Sequence, residues 1–161
     1  MGAGKTAVLA EASDLLSERN IIHAAIDLDG LALAHLGSSA NNDNVMYSNL
    51  RSVCSNYASL GVKRVLLARA VESIDELKTC KRAVFASETI VCRLTASIEA
   101  MQQRVKLRES GVLWRKYVDR VARLNDILDR AHLEDFSVTN ENRALTDVAQ
   151  RVLLEAGWIS N

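Results

Sequence analysis

Apolar residues recur every three or four positions in six stretches of the chain, the spacing that gathers them on one face of a helix. The first stretch carries Val8, Ala12 and Leu15 in this register and ends at Asn20, a common helix stop. The spacing predicts six helices. Five cover 5–19, 44–60, 73–84, 113–131 and 145–156, and the other begins at 97 and ends in the polar cluster 104–111.

Short apolar runs lie between these helices, at 21–28, 64–71, 89–94 and 135–139. Continuous apolar runs of this length are typical of strands buried on both faces. Strands that alternate with helices predict a parallel sheet covered by helices on both sides. We therefore expect one three-layer α/β domain over 1–161, with ligands bound beyond the carboxyl ends of its strands.

The stretch Met1-Gly2-Ala3-Gly4-Lys5-Thr6 stands directly before the first predicted helix. Its end, Gly4-Lys5-Thr6, matches the tail of a phosphate-binding loop of the form G-x-x-x-x-G-K-[ST]. Glycine lets backbone N–H groups approach a polyphosphate, lysine places a positive charge on the outer phosphates, and the threonine hydroxyl can join a Mg²⁺ shell. We expect Gly2, Ala3, Gly4, Lys5 and Thr6 to bind a nucleotide.

The motif is incomplete within the sequence. Its first glycine, five residues before Gly4, and the buried strand that normally delivers the loop would both lie ahead of Met1. We therefore expect a sheet without its first, central strand, from a start that is truncated or wrongly assigned. Four buried apolar side chains contribute about 6–12 kcal/mol, against a domain stability of about 5–15 kcal/mol. A chain starting at Met1 should then be marginally stable or unfolded unless something fills the gap.

Asp27 and Asp29 stand where the first apolar run gives way to a loop. Side chains two apart on a strand point the same way. Two carboxylates at such a place can hold Mg²⁺ through water or accept a proton from a substrate hydroxyl. The alternative is a pair of caps at a strand-to-helix turn.

Arg104 and Arg108 are four residues apart, so they share a helix face, and Gly111 just beyond them could act as a hinge. Arginines on a closing lid stabilise the charge that spreads over a phosphoryl group in transfer. We expect a lid at about 104–118. The alternative is a solvated basic helix end that complements the helix dipole.

Further polar residues lie at or near strand ends. Arg69 lies inside the apolar run 64–71 and needs a partner, which is either an anionic substrate at the strand end or a structural ion pair. Asn140, Asn142 and Arg143 follow the last strand, where they could hold a nucleotide base or form an ordinary polar turn. His35 could contact substrate, although a surface histidine is the commoner case.

Composition limits the classes of partner and the cellular compartment that we expect, but it does not identify a substrate. Lys+Arg and Asp+Glu are both 20, so net charge gives no reason to propose nucleic acid or a membrane surface as partner. No apolar run approaches ~18 residues, and no secretory signal is visible. The cysteines are Cys54, Cys80 and Cys92, too far apart for a zinc site, and they favour a reducing cytoplasm.

The order of these motifs resembles the small P-loop kinases, such as shikimate kinase, gluconate kinase and adenylylsulfate kinase. The resemblance is carried by Gly4-Lys5-Thr6, the pair Asp27 and Asp29, the segment 104–108 and the turn 140–143. The chain resembles more closely a group of uncharacterised actinobacterial ATP-binding proteins, with similar segments at 23–29, 135–138 and 155–158.

The resemblance implies a five-stranded parallel sheet, ATP, Mg²⁺ and transfer of the γ-phosphate to a small hydroxyl compound. It implies that Thr6 and Asp27 hold the metal and that Asp29 orients or deprotonates the acceptor. Arg108, helped by Arg104, would close over the transferring phosphate. The substrate contact of Arg69 is expected from its place in the run and not from the resemblance. The third strand departs from the pattern, because 68–70 has neither a recognisable Walker B acid nor a glycine-rich substrate loop.

The sequence thus favours a kinase acting on a small acceptor that it does not identify. Two other functions stay open: a nucleotide sensor without turnover, and an inactive remnant whose site was lost with the strand. The base preference and the oligomeric state are not predicted.

Overall fold

The computed structural model describes residues 1–34, 42–108, 111 and 114–160. Helices and strands alternate along the described chain, as the apolar spacing predicts. His35 lies outside the described residues, as do parts of the predicted loop 37–44 and of the lid 104–118. The elements are α1 Lys5–Glu18, β1 Ala24–Asp27, a 3₁₀ turn Leu28–Ala32, α2 Asn42–Ser59, β2 Val65–Ala68, α3 Ile74–Ala83, β3 Cys92–Thr95, α4 Ile98–Arg108, α5 Trp114–Ala131, β4 Phe136–Thr139 and α6 Leu145–Glu155.

Two helices begin at the serines that the sequence predicts as caps. The Glu76 N–H donates to Ser73 Oγ at 3.2 Å at the start of α3. The Ala100 N–H donates to Ser97 Oγ at 3.2 Å at the start of α4. Each hydroxyl accepts a hydrogen bond from a backbone N–H of the first helical turn. Such an N–H group has no partner within its own helix.

The strands form two parallel pairs. β1 pairs with β2 in the register Ala24↔Val65 to Asp27↔Ala68, and β3 pairs with β4 from Cys92↔Phe136 to Thr95↔Thr139. Within the described residues no ladder of hydrogen bonds joins β2 to β3. This arrangement agrees with the predicted parallel sheet that lacks a central strand.

Helices cover both faces of the second pair. Cys92 and Leu94 pack on the cluster formed by α1 and α6. Arg93, between them, points the other way and bonds Asn125 on α5 at 3.0 Å. Alternation along β3 thus separates two helical layers, which is the predicted three-layer order.

Apolar clusters lie in three places in the described chain. One joins α1, α6 and β4 around Leu16 and Leu153, and a second joins β1, α2 and α3 around Leu28 and Leu50. A third joins α4 and α5, and it includes Ala3 of the opening loop. The loop is therefore anchored in the core. None of the helices in the described part of the chain is both long and apolar enough to cross a membrane.

Candidate functional site

The backbone of the opening loop is shaped by two glycines. Gly2 has φ 71° and Gly4 has φ 90°, on either side of the buried Ala3. A Cβ atom on Gly2 would lie 2.4 Å from the Met101 carbonyl oxygen, and one on Gly4 would lie 2.2 Å from Asn140 Nδ2. Left-handed residues in such a short run are typical of nests, in which successive N–H groups face an anion. Glycine is required at both positions by conformation and by space.

Two side chains hold this loop through its carbonyl groups. Asn140, which is buried, donates from Nδ2 to the Ala3 oxygen at 2.8 Å. Arg104 donates from Nη1 to the Gly2 oxygen at 3.2 Å and from Nη2 to the Asn140 oxygen at 2.7 Å. Because these partners take the carbonyls, they help to set the orientation of the loop backbone. The predicted roles of Arg104 at a transferring phosphate and of Asn140 at a base stay predictions.

Helix α1 begins directly after the loop, with Gly4 as its N-cap. No side chain caps this end and its first turn contains no acidic residue. The positive end of the helix dipole is therefore not offset by a nearby carboxylate of its own helix. Together with the loop, it offers an environment suited to an anion.

Lys5 lies among the charges that the sequence predicts around it. Burial lowers the pKa of Lys5, while Asp29 and Asp27 raise it and Arg108 and Arg69 lower it further. Such effects require these charges to be close to the ammonium group. The lysine is thus a partly buried cation next to both aspartates.

Asp27 joins the loop to the end of β1. Thr6 donates from Oγ1 to Asp27 Oδ2 at 2.5 Å. The Asp29 N–H donates to Asp27 Oδ1 at 3.1 Å, so Asp27 also caps the turn that follows the strand. The cap alternative is therefore observed for Asp27 alone. The Thr6 hydroxyl and a carboxylate oxygen of Asp27 lie side by side.

This pair of oxygens suits Mg²⁺, which prefers hard oxygen ligands and usually keeps several waters and substrate phosphates in its shell. Within the described ranges, no group of three or more His, Cys, Asp or Glu side chains is placed to hold a metal. A metal at Thr6 and Asp27 would therefore depend on phosphate and water ligands. The metal role of both residues stays a prediction.

Arg69 lies just past the end of β2 and joins three acidic side chains. Its guanidinium contacts Asp29 Oδ1 at 3.0 Å, Asp43 Oδ1 at 3.2 Å and Glu76 Oε1 at 3.2 Å. The Arg69 side chain is 22% exposed, and that of Asp29 is 70% exposed. The structural ion pair, one of the two predicted alternatives, is thus observed, and Arg69 places Asp29 at the open side of the site.

Asp43 and Glu76 were not predicted as site residues. Glu76 carries a capping signal in the sequence, but its carboxylate accepts from the Glu72 N–H at 2.7 Å, from Arg69 and from Tyr47 Oη at 3.2 Å. Burial, with Glu76 beside it, raises the pKa of Tyr47. No local sequence pattern predicts the contact of Asp43, which lies 26 residues before Arg69.

Glu141 is a further residue that sequence reasoning missed. Its carboxylate accepts from the Ser97 N–H at 2.7 Å and from Ser97 Oγ at 2.8 Å. These hydrogen bonds hold the pKa of Glu141 below its usual value. The contact ties the turn after β4 to the start of α4. Asn142 and Arg143 are exposed in the same turn, and their role at a base stays a prediction.

Arg108 is the last residue of α4 and is exposed. It is close enough to Lys5 to lower the lysine pKa. The two predicted lid arginines therefore differ in position, since Arg104 is half-buried against the loop and Arg108 is at the open edge. Residues 109–110 and 112–113 of the predicted lid lie outside the described residues.

No protein-family model matches the chain, and no curated protein matches its sequence. The fold is similar to that of a solved structure, a shikimate kinase from Acinetobacter baumannii in complex with shikimate. The superposition has a TM-score of 0.58 and covers 99% of this chain and 91% of that chain, at 19% sequence identity. At this identity the similarity concerns the fold, and it confirms the predicted P-loop kinase-like α/β architecture.

Proposed function

We propose that the protein binds ATP with Mg²⁺ and transfers the γ-phosphate to a small hydroxyl-bearing acceptor. The observation that carries this proposal is the meeting of three groups: the two-glycine loop, the Lys5 ammonium and the aspartate pair at the end of β1. A polyphosphate needs the first two, and phosphoryl transfer needs the third.

The phosphates would lie on the N–H groups of Gly2, Ala3 and Gly4, at the positive end of α1. Lys5 would neutralise the β- and γ-phosphates. The low pKa that burial imposes on this lysine would rise on binding, because an anion stabilises its charged form. Phosphate binding and protonation of Lys5 are therefore coupled.

Thr6 and Asp27 would hold Mg²⁺, which when bound would neutralise phosphate charge. The Thr6 hydroxyl would turn from the Asp27 carboxylate towards the metal. Both side chains lie at the start of α1 and the end of β1, so few bonds need to rotate.

Asp29 would receive the proton of the acceptor hydroxyl. As that oxygen forms its bond to the γ-phosphorus, the bond from this phosphorus to the β–γ bridging oxygen breaks, and ADP leaves. Arg69 would orient Asp29 and contact the acceptor, and Arg108 would cover the transferring phosphoryl group. Asn142 and Arg143 would lie near the base, while Arg104 and Asn140 would hold the loop.

A second function, nucleotide binding without turnover, is favoured by one contact. Arg69 bonds Asp29 at 3.0 Å, so this carboxylate already takes part in an ion pair. In this function the aspartate would complete a charge network and receive no proton.

Calorimetric titration with MgATP tests the nucleotide site. We expect saturable binding that Lys5→Ala weakens at least about 100-fold, since a buried charge–phosphate contact is lost. Lys63→Ala, on an exposed lysine before β2, should leave the affinity unchanged. Wild-type affinity in Lys5→Ala would refute the assignment of the loop.

Release of ADP separates the two functions. The assay would use a panel of acceptors that includes sugars, nucleosides and hydroxylated acids such as shikimate, the ligand of the similar structure. Stimulation by one acceptor supports a kinase. Tight MgATP binding with no release above the acceptor-free rate supports a sensor.

A further inference from the structure

Arg69 holds Asp29 with one corner of a planar group whose other corners are also occupied. Its Nη1 donates to Asp29 Oδ1 at 3.0 Å, its Nη2 donates to Asp43 Oδ1 at 3.2 Å, and its Nε donates to Glu76 Oε1 at 3.2 Å. Because the guanidinium is rigid and planar, a hydrogen bond that fixes one nitrogen also fixes the direction of the others. The position of Asp29 thus depends on what holds the rest of the group.

The three carboxylates differ in how firmly the protein holds them. The side chains of Asp29 and Asp43 are 70% and 64% exposed, whereas that of Glu76 is 18% exposed. A side chain at the surface keeps more rotational freedom than one that its neighbours enclose. Glu76 is therefore the fixed end of this group, and Asp29 is the end that faces the open side of the site.

Glu76 is itself held through both of its carboxylate oxygens. Besides Arg69, Oε1 accepts from Tyr47 Oη of α2 at 3.2 Å, and Oε2 accepts from the Glu72 N–H at 2.7 Å. Glu76 lies in the first turn of α3, where the positive end of the helix dipole suits a negative charge. These contacts join α2, the turn after β2 and α3, so the carboxylate has little freedom to rotate.

The turn that carries Arg69 is also tied to helix α5. The Glu72 carboxylate pairs with Arg120 Nη2 of α5 at 2.7 Å, while the N–H of the same residue bonds to Glu76. A continuous chain of contacts therefore runs from α5 to Asp29, and Glu76 is its middle member. Removal of the Glu76 side chain would break this chain and free the Nε corner of Arg69.

We propose that Glu76 is a positioning residue for phosphotransfer. It fixes the plane of the Arg69 guanidinium and thereby holds the Asp29 carboxylate where the acceptor hydroxyl arrives, without touching acceptor or nucleotide. A displacement of about 1 Å in a reacting group can lower a rate about 100-fold, and an exposed carboxylate needs a support of this kind. This inference rests on the proposed role of Asp29 as the proton acceptor.

The test compares Glu76→Ala with Ser73→Ala, in the parent and in Asp29→Asn. Both substitutions remove hydrogen bonds at the start of α3, since the Glu76 N–H donates to Ser73 Oγ at 3.2 Å. Ser73→Ala should lower Tm by about 3 °C, but it leaves the Glu76 carboxylate and its bond to Arg69 in place. It therefore controls for lost stability at this helix end.

We expect Glu76→Ala to lower kcat with the active acceptor by about 10- to 100-fold. The KM for MgATP should stay within about twofold of the parent, because the phosphate loop is not changed. Ser73→Ala should keep kcat within about twofold. Added to Asp29→Asn, Glu76→Ala should change the remaining rate by less than about twofold, since the group that it positions is already lost.

A measurement without substrate follows the same contact directly. The Arg69 Nε–H gives its own signal in heteronuclear NMR spectra, and the bond to Glu76 slows its hydrogen exchange. Glu76→Ala should speed this exchange by at least about fivefold, and Ser73→Ala should not. If Glu76→Ala does not fold, Glu76→Met takes its place in every comparison, because it fills a similar space without an acceptor oxygen.

Equal losses of kcat in Glu76→Ala and Ser73→Ala would overturn the proposal. A full further loss in Asp29→Asn, or unchanged exchange at the Arg69 Nε–H, would also overturn it. The proposed phosphotransfer fails in a different way, since the parent would then release no ADP with any acceptor. In that case the exchange measurement still decides whether Glu76 holds Arg69.

Discussion

The opening loop meets a groove at Met1, but the backbone groups of the two regions have different surroundings. The groove lies between β2 and β3 and is lined by residues 66–68 and 91–94. In the loop, the carbonyls of Gly2 and Ala3 are held by Arg104 and Asn140. In the groove, backbone groups of two strands face an apolar space, with no ladder between β2 and β3 in the described residues. Side chains complete the first region, whereas the second is an open space between two strand edges.

The two regions therefore differ in what they can bind. The loop offers its N–H groups and Lys5, which suit an anion. The groove offers mainly apolar side chains, among them Val8 and Leu9 of α1 and Leu128 of α5. Changes in the polar region should therefore act on nucleotide chemistry or on the loop, and changes in the groove should act on the stability of the whole sheet. Four predictions test this comparison.

Asp29→Asn should affect chemistry and leave the fold intact. Loss of a general base lowers turnover about 10²–10⁴-fold, while its largely exposed ion pair with Arg69 contributes little to stability. We expect turnover with the active acceptor to fall by that factor, with Tm within about 2 °C of the parent. Asp75→Asn, on an 88% exposed side chain of α3, should change neither. A full rate in Asp29→Asn would show that the proton goes elsewhere.

Gly2→Ala should have the largest effect on folding. The new Cβ atom would lie 2.4 Å from the Met101 carbonyl oxygen, at a residue with φ 71°. Strain and clash together should lower the free energy of unfolding by about 3 kcal/mol, measured by urea denaturation. Gly30→Ala is the control, because nothing lies within 4 Å of its Cβ position. Equal stability of the two variants would mean that the loop is not packed on α4.

Arg104→Ala tests the support of the loop. Two charge-assisted hydrogen bonds to carbonyls are lost, so we expect a loss of about 2 kcal/mol in stability and a weaker affinity for MgATP. Arg123→Ala, on an exposed arginine of α5, should be neutral. A lower turnover with unchanged affinity and stability would instead place Arg104 at the transferring phosphate, as the resemblance implies.

The smallest expected effect is a pH dependence of stability that arises from the amino group of Met1, where the loop and the groove meet. In the chain that begins at Met1, the amino group has a pKa of about 6 when folded and keeps about 8 when unfolded. The unfolded state therefore binds more protons between pH 6 and 8, so stability rises with pH in this window.

The gain should be about 1 kcal/mol, reduced by solvent screening, and it is lost as pH falls through 6. Denaturation at several pH values measures it, and acetylation of the Met1 amino group should abolish this component. A slope of the same size in the acetylated protein would assign the effect to another group.

Much of the site is readable from the sequence because its parts are local. The loop tripeptide stands directly at the start of its helix, and Asp27 and Asp29 stand at the end of β1 and in the turn that follows it. The caps Ser73 and Ser97 are also local signals, and both are observed. The periodic spacing predicts the helices for the same reason, since a helix is set by residues three and four apart.

What the chain alone determined is thus the order of helices and strands, the phosphate-loop chemistry and the expectation of a gap in the sheet. Only the tertiary structure decided which distant groups meet. Arg104 contacts the Gly2 carbonyl 102 residues away, and Arg69 contacts Asp29, Asp43 and Glu76. The edges of β2 and β3 face each other across the groove. Such contacts depend on packing between distant segments, and no spacing along the chain encodes them.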